Sequence, residues 1–209
     1  MNILGIGAHP DDLEFGCGGM LHKLSKKGHR LSMLVMTGGG VGGDAEVRKV
    51  EQEGSAKLLK ARLFWGGFMD TEVLMCRELI HTAERHIGSL KPDLIFVNHD
   101  DDTHQDHRNV AKAVITAARH TKNLIFYEVP TTLNFVPTAF SDIGAVIDDK
   151  VQLLKCHRSQ VYKTRVKNLS IIETARSTAV FRGYQGRVKY AEGFAPQRLL
   201  LDLVLGISK

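Results

Sequence analysis

The sequence predicts an α/β protein, a Rossmann-like three-layer α/β/α sandwich built on a mainly parallel sheet. Three observations carry that prediction. Five short runs rich in Ile, Val, Leu and Phe recur through residues 1–130 without polar alternation, as expected of strands covered on both faces. Segments with helical spacing separate them, which is βαβ repetition. Every chemistry-bearing motif follows one of those runs, at the carboxyl edge where ligands bind in this class.

In chain order, the first strand is expected at ILGIGA (3–8) and the first helix over 15–28, ending at Gly28. LSMLVMT (31–37) precedes a helix over 44–61, and RLFWGG (62–67), with Phe64 and Trp65 read as strand core, precedes one over 72–90 that stops before Lys91-Pro92. DLIFVN (93–98) leads to a helix over 107–120, and NLIFYEV (123–129) is the fifth strand. Past residue 130 the pattern is less regular. AVIDD (145–149) reads as a short strand, KVQLLKCHRSQV (150–161) and residues 168–183 as helices, and RLLLDLVL (198–205) as a last strand. One domain over 1–209 is expected, its residues 131–209 completing the substrate cleft.

A chain of 209 residues, 43% hydrophobic and 24% charged, has enough apolar material for a full core. Cys17, Cys76 and Cys156 are far apart and form no CxxC pair, which fits a reducing compartment better than a disulfide framework. Cys17 is expected to pack closely beside Gly16, Gly18 and Gly19. The opening MNILGIGAHPDD lacks a basic leader and a small-residue cleavage site, and no window holds 18 uninterrupted apolar residues. A soluble, cytoplasmic protein without membrane contact is the expectation. The net charge of +5 is uneven: residues 150–209 hold 12 Lys/Arg against 3 Asp/Glu. That field suits either a solvated face or an anionic small-molecule substrate. No basic motif is interleaved with aromatics, so nucleic acid is not an expected partner. A homo-oligomer stays open.

GIGAHPDDLEFGCGG (5–19) places His9, Asp11 and Asp12 on the turn between the first strand and helix. His9 and Asp12, three apart, can converge on one ion while Pro10 fixes the backbone between them. Asp11 cannot share that direction and is left for proton transfer. Pro and Asp also make an ordinary helix start, so this turn alone does not establish a metal site. The second source of ligands is HDDDTHQDHR (99–108), after strand four. Strands one and four flank the switch point of a doubly wound sheet, so the two loops face each other and His107 becomes the third ligand. Two imidazoles and a carboxylate with an open position suit a catalytic Zn2+, and the same set accepts Fe2+. His104 stands three residues before His107, and Asp106 is placed to orient one of these rings.

The fingerprint of a nucleotide-binding oxidoreductase or transferase fails, because Pro10 stands where GxGxxG needs its third glycine. TGGGVGG (37–43) lacks the Gly-Lys-Ser/Thr of a phosphate loop and reads as a mobile rim of the cleft. A non-catalytic zinc or carbohydrate-binding module would need neither Asp11 nor His104. His22, His29, His81, His86 and His120 read as surface or core histidines, and a cleft-facing role is open for His157.

AHPDD with E.G.GG behind it, together with H..D.H.DHR, resembles the zinc-dependent de-N-acetylases of the LmbE-like, or PIG-L, family. RKVEQEGSAKLL (48–59), FMDTEV (68–73), CHRSQ (156–160) and EGF (192–194) are similar to further family signatures, so the likeness covers most of the chain. The resemblance implies hydrolysis of the N-acetyl group of an N-acetylated amino sugar. His9, Asp12 and His107 would bind zinc, Asp11 would be the general base, His104 would stabilise the charged intermediate and Asp106 would orient His104. Arg48 and Asp70 would contact the sugar. An amidase acting on another small amide conjugate is the alternative. Leu13 separates Glu14 from the aspartate pair, a departure from some members that leaves Glu14 without a catalytic role.

Overall fold

Strands β1 (Asn2–Gly7), β2 (Arg30–Thr37), β3 (Arg62–Phe68), β4 (Leu94–Asn98) and β5 (Leu124–Tyr127) lie parallel in the order β3-β2-β1-β4-β5 in the computed structural model, which describes residues 1–205. The sheet continues through β7 (Ala191–Arg198), antiparallel to β5, to β6 (Ala139–Asp142), antiparallel to β7. The helices are α1 (Asp12–Lys26), α2 (Ala45–Leu58), α3 (Arg77–Leu90), α4 (Gln105–Ala117), α5 (Ile147–Cys156), α6 (Ile171–Gly186) and α7 (Leu201–Leu205). Among the described residues no helix is long and apolar enough to cross a membrane.

Period-2 strand geometry divides the core in two. Ile3, Leu94, Phe96 and Ile125 pack on one face with Leu13, Leu21 and Leu24 of α1, Ala56 of α2 and Leu153 and Leu154 of α5. Leu4, Ile6, Ile95 and Val97 pack on the other with Leu79 and Ala83 of α3 and Val110, Ala113 and Val114 of α4. Helix, sheet and helix therefore form the three layers that the unalternating strands require. The edge strand β3 is an exception: Phe64 and Trp65 are only half-buried, because no strand flanks β3 on its outer side.

The expectations fail in the C-terminal third. AVIDD is not a strand: Asp142 Oδ1 accepts the Gly144 N–H at 2.8 Å, a 3-10 turn follows over Gly144–Val146, and α5 starts at Ile147. Ile147, Lys150, Val151 and Leu154 are buried at helical spacing, a period the five-residue run is too short to display. RLLLDLVL is not a strand either. The final strand ends at Arg198, and Leu201–Leu205 are helical. Both added strands, AFSD and AEGFAPQR, carry Gly, Pro or charge and have weak strand propensity; pairing with the sheet decides them.

GCGG packs closely, as expected, with Gly16 against Tyr127, Gly18 against Leu153, Gly19 against Ile143 and Cys17 buried, but the run is not regular helix. Cys17 has non-helical φ −141° and ψ 15°, which divides α1 into two segments. The break is filled by a buried ion pair from the C-terminal third. Lys150 Nζ donates to the Phe15 carbonyl and sits 2.6 Å from Glu192 Oε1, while the Glu192 carboxylate accepts the Gly19 and Met20 N–H groups at 2.7 and 2.8 Å. Orphan backbone groups created by the kink are thereby satisfied. Gly16 is glycine for another reason: a Cβ there would lie 2.0 Å from the Tyr127 ring, whose hydroxyl donates to the Ile6 carbonyl at 2.9 Å. Tyr127 thus pins the end of β1 to α1, and the turn between them carries His9 through Asp12.

Candidate metal centre and active site

Adjacent β1 and β4 bring the two motif loops to one point. Their register pairs Ile6 with Val97, and the Ala8 N–H donates to Asn98 Oδ1 at 3.1 Å, tying the strand ends together. From β1, His9 is buried, and Asp12 turns back to accept the His9 N–H at 2.9 Å. From β4, the chain runs through Asp102 to His104, the N-cap of α4, whose first turn presents Asp106 and His107. His9 Nδ1 and His107 Nε2 stand 3.1 Å apart. Asp12 Oδ1 is 3.4 Å from His107 Nε2, and Asp12 Oδ2 is 3.8 Å from His9 Nδ1.

Those separations are those of ligands round one small cation, since four-coordinate zinc with bonds near 2.0 Å spaces its ligand atoms by about 3.3 Å. The outer partners agree. His9 Nε2 faces Asp70 Oδ1 at 2.9 Å and Asp106 Oδ2 at 3.0 Å, and His107 Nδ1 faces Asp102 Oδ2 at 3.1 Å. A carboxylate on the far nitrogen holds the N–H there and leaves the near nitrogen its lone pair. Burial disfavours charge on both rings, yet the surrounding carboxylates prevail: Asp106, Asp70 and Asp12 raise His9 to about 9, and Asp12 and Asp102 raise His107 to about 10. Burial would push Asp12 up, and His107 and His9 instead hold it well below the usual carboxylate range. Of the two facing nitrogens, 3.1 Å apart, at most one can carry a proton, which the other then accepts. A divalent cation could take that proton's place, and two imidazoles and a carboxylate at these spacings fit one.

Two overlapping groups of donors lie within 4.8 Å of one another, His9 with His104 and His107, and His9 with Asp70, His104 and Asp106. Each includes His104, whose ring centroid is 4.5 Å from that of His9 and 4.9 Å from that of His107. His104 Nδ1 accepts the Asp106 N–H at 3.2 Å, so a neutral ring carries its proton on Nε2. Burial and then the nearby His9 and His107 lower its pKa. The Asp106 carboxylate does not orient His104. It accepts the Thr71 and Val73 N–H groups at 2.8 and 3.3 Å and faces His9. The ring it meets is across the site because α4 turns residue 106 toward the β3 loop.

Asp11 has φ 82°, in the left-handed region, and its side chain is 27% exposed. Burial raises its pKa to about 6 against the opposing pull of Arg48. Arg48 and Asp70 face inward rather than toward open solvent. Arg48 donates to the Gly39 and Pro10 carbonyls, both at 2.8 Å, and reaches Asp11 Oδ2 at 3.5 Å; Asp70 accepts the Val41 N–H at 2.8 Å besides facing His9. The glycine loop is therefore tied to the site by both. Gly39, at φ +68°, has no room for a Cβ beside the Arg48 guanidinium. Asp102, the fixed acid of the H..D.H.DHR pattern, has no role assigned from the sequence; the path of the loop is what sets it against His107. His157, open between core and cleft, is buried 3.5 Å from Glu14. None of His22, His29, His81, His86 or His120 joins the donor groups.

A doubly wound sheet with histidines and aspartates converging at its switch point defines an α/β protein whose ligand edge carries a group of residues that could hold a metal ion. The comparisons with known proteins narrow the class. Residues 4–118 match the family described as PIG-L, GlcNAc-PI de-N-acetylase, and the chain belongs to that deacetylase family. It is 35% identical over 167 residues to the uncharacterized deacetylase YaiS of Escherichia coli (strain K12), spanning 75% of this chain and 90% of that protein. It is 28% identical to the diacetylchitobiose deacetylase of Thermococcus kodakarensis over 91% of this chain and 81% of the other. Among solved structures, the N,N′-diacetylchitobiose deacetylase from Pyrococcus horikoshii, complexed with its inhibitor MPG, superposes with a TM-score of 0.84 at 25% identity, covering 93% and 83% of the two chains.

Proposed function

We propose that this protein hydrolyses the N-acetyl group of a GlcNAc-type amino sugar with the help of a divalent cation, zinc or iron(II), held by His9, Asp12 and His107. The convergence of His9 Nδ1, His107 Nε2 and both Asp12 oxygens within 3.1 to 3.8 Å carries the proposal. Two family relatives act on diacetylchitobiose by their names, which supports an N-acetylated sugar as substrate. Asp70, Asp106 and Asp102 are read as the outer partners of the two rings, because all of them face the ring nitrogens directed away from the convergence point.

A cation in that position supplies Lewis acidity, polarising the acetamide carbonyl and making water easier to deprotonate. Asp11 accepts the proton of the attacking water. Its raised pKa suits that task, since a base works best when its pKa lies near the operating pH. His104 presents Nε2–H to the oxyanion of the tetrahedral intermediate, its other nitrogen being occupied by the Asp106 N–H. Arg48 fixes Asp11 through the Pro10 carbonyl and the Asp11 carboxylate. The amine leaves with the proton that Asp11 took from the water.

Acetate release from a panel of N-acetylated sugars, N,N′-diacetylchitobiose included, tests the reading. Zinc-loaded protein should release acetate and chelator-treated protein should not. Metal-independent release would rule the proposal out.

A further inference from the structure

Behind Asp11 runs a buried polar chain that the chemistry above does not use. Gln52 of α2 is fully buried, and its amide bridges two groups of the first turn of α1. Nε2 donates to Glu14 Oε1 at 2.7 Å, and Oε1 accepts the Asp11 N–H at 3.3 Å. Glu14 is also fully buried; its Oε1 takes the Ser55 hydroxyl as well, and His157 Nε2 lies 3.5 Å away. A carboxylate accepts and does not donate, so it dictates which end of the Gln52 amide faces it. The reverse orientation would set oxygen against oxygen at Glu14 and N–H against N–H at Asp11. Glu14 therefore determines that Gln52 offers an acceptor to Asp11.

The group receiving that acceptor is strained. Asp11 has φ 82° and ψ −18°, a conformation unfavourable for any residue with a Cβ, and such strain persists only where surroundings enforce it. It occupies the N-cap place of α1 but its side chain makes no cap hydrogen bond, so the carboxylate is met by the Arg48 guanidinium at 3.5 Å and not by the helix amides. Arg48 holds the preceding carbonyl of Pro10, and Gln52 holds the N–H of Asp11 itself.

We propose that Gln52, oriented by Glu14, is a positioning residue for Asp11: it holds the left-handed backbone that keeps the Asp11 carboxylate out of the helix cap and available as the base. The inference rests on the reading of Asp11 as base given above. Its test is Gln52→Met, made in the wild-type and Asp11→Asn backgrounds and assayed on zinc-loaded protein with N,N′-diacetylchitobiose, beside the Asp11 amide proton resonance in metal-free protein. The expected results are a kcat lowered tenfold or more with KM within twofold, unchanged zinc content, no further loss in the Asp11→Asn background, and an upfield move of the Asp11 amide proton. An equal loss in both backgrounds, a kcat within twofold of wild type, or an unmoved amide resonance would overturn it. Should Gln52→Met not fold, Glu14→Gln, which permits either amide orientation, is expected to give a smaller loss of the same kind with a partial amide shift; no shift there overturns the proposal. Full activity in Asp11→Asn alone would instead defeat the base assignment, and the amide resonance would still decide whether Gln52 holds that backbone.

Discussion

His9 Nδ1 and His107 Nε2 lie 3.1 Å apart although 98 residues separate them, and Asp12 closes the triangle. The two facing nitrogens cannot both be protonated at that distance, and the proposed cation would take the place between them. Zinc binding should raise the unfolding midpoint of the wild type, by the equivalent of about 4 kcal/mol when free zinc is a thousandfold above Kd. His107→Ala should show no such shift and no acetate release. Calorimetry that found one tightly bound zinc in His107→Ala would remove His107 from the ligand set.

Asp11 should make the metal-free protein less stable at neutral pH than it need be. Its pKa rises from 3.8 to about 6 in the fold, chiefly through burial, so the fold favours the neutral acid. The associated stability is present at low pH and is lost as pH climbs from about 4 to about 6, by up to about 3 kcal/mol and less in practice because the side chain is partly solvated. Asp11→Asn, neutral and tolerant of the left-handed region, should raise the midpoint at about pH 7.5, with the gain shrinking towards pH 4. The same variant should keep zinc and lose 10²- to 10⁴-fold in turnover, roughly the range of general-base contributions. Thermal melts at the two pH values and a metal assay decide the matter.

How much of this was legible beforehand follows from what each feature depends on. The parallel strands and their helices were readable because burial on both faces writes a local signature, as at β4, and the adjacency of β1 and β4 follows from the topology. That adjacency sufficed to bring His9, Asp12 and His107 together. Orientation across the site was not readable: Asp106 meets His9 rather than His104, and Asp70 turns to the same ring, because those directions depend on how α4 and the β3 loop are set against each other. AFSD and AEGFAPQR were missed because partner strands, not their own composition, make them strands. The basic C-terminal third was read as a field, yet Lys150 and Arg182 are buried in ion pairs with Glu192 and Glu128.

His104 has two tasks that different substitutions separate. Its Nδ1 caps α4 by accepting the Asp106 N–H, and its Nε2–H is the proposed donor to the oxyanion. His104→Ala removes both, at a cost of about 1 kcal/mol in stability for the cap and about 10²- to 10³-fold in kcat for the donor. His104→Asn keeps a capping oxygen but not the reach. It should recover the stability and none of the rate, with zinc content intact in both variants. Recovery of the rate along with the stability would show that His104 acts through α4 alone.

Lys150 and Glu192 should be the most sensitive ion pair away from the His9 and His107 site. Both are buried, their charged atoms are 2.6 Å apart, and between them they satisfy a carbonyl and two N–H groups at the Cys17 kink. Lys150→Met leaves the Glu192 carboxylate buried without its cation, which places the expected loss at about 3 to 5 kcal/mol. Glu192→Gln strands the ammonium but keeps one oxygen for the helix amides, so its loss should be similar. The double variant removes both charges together and should be much less destabilised than the two single losses added. Urea unfolding of the four proteins measures the coupling. Simple additivity would mean that the pair contributes separate packing rather than a shared charge balance at the kink.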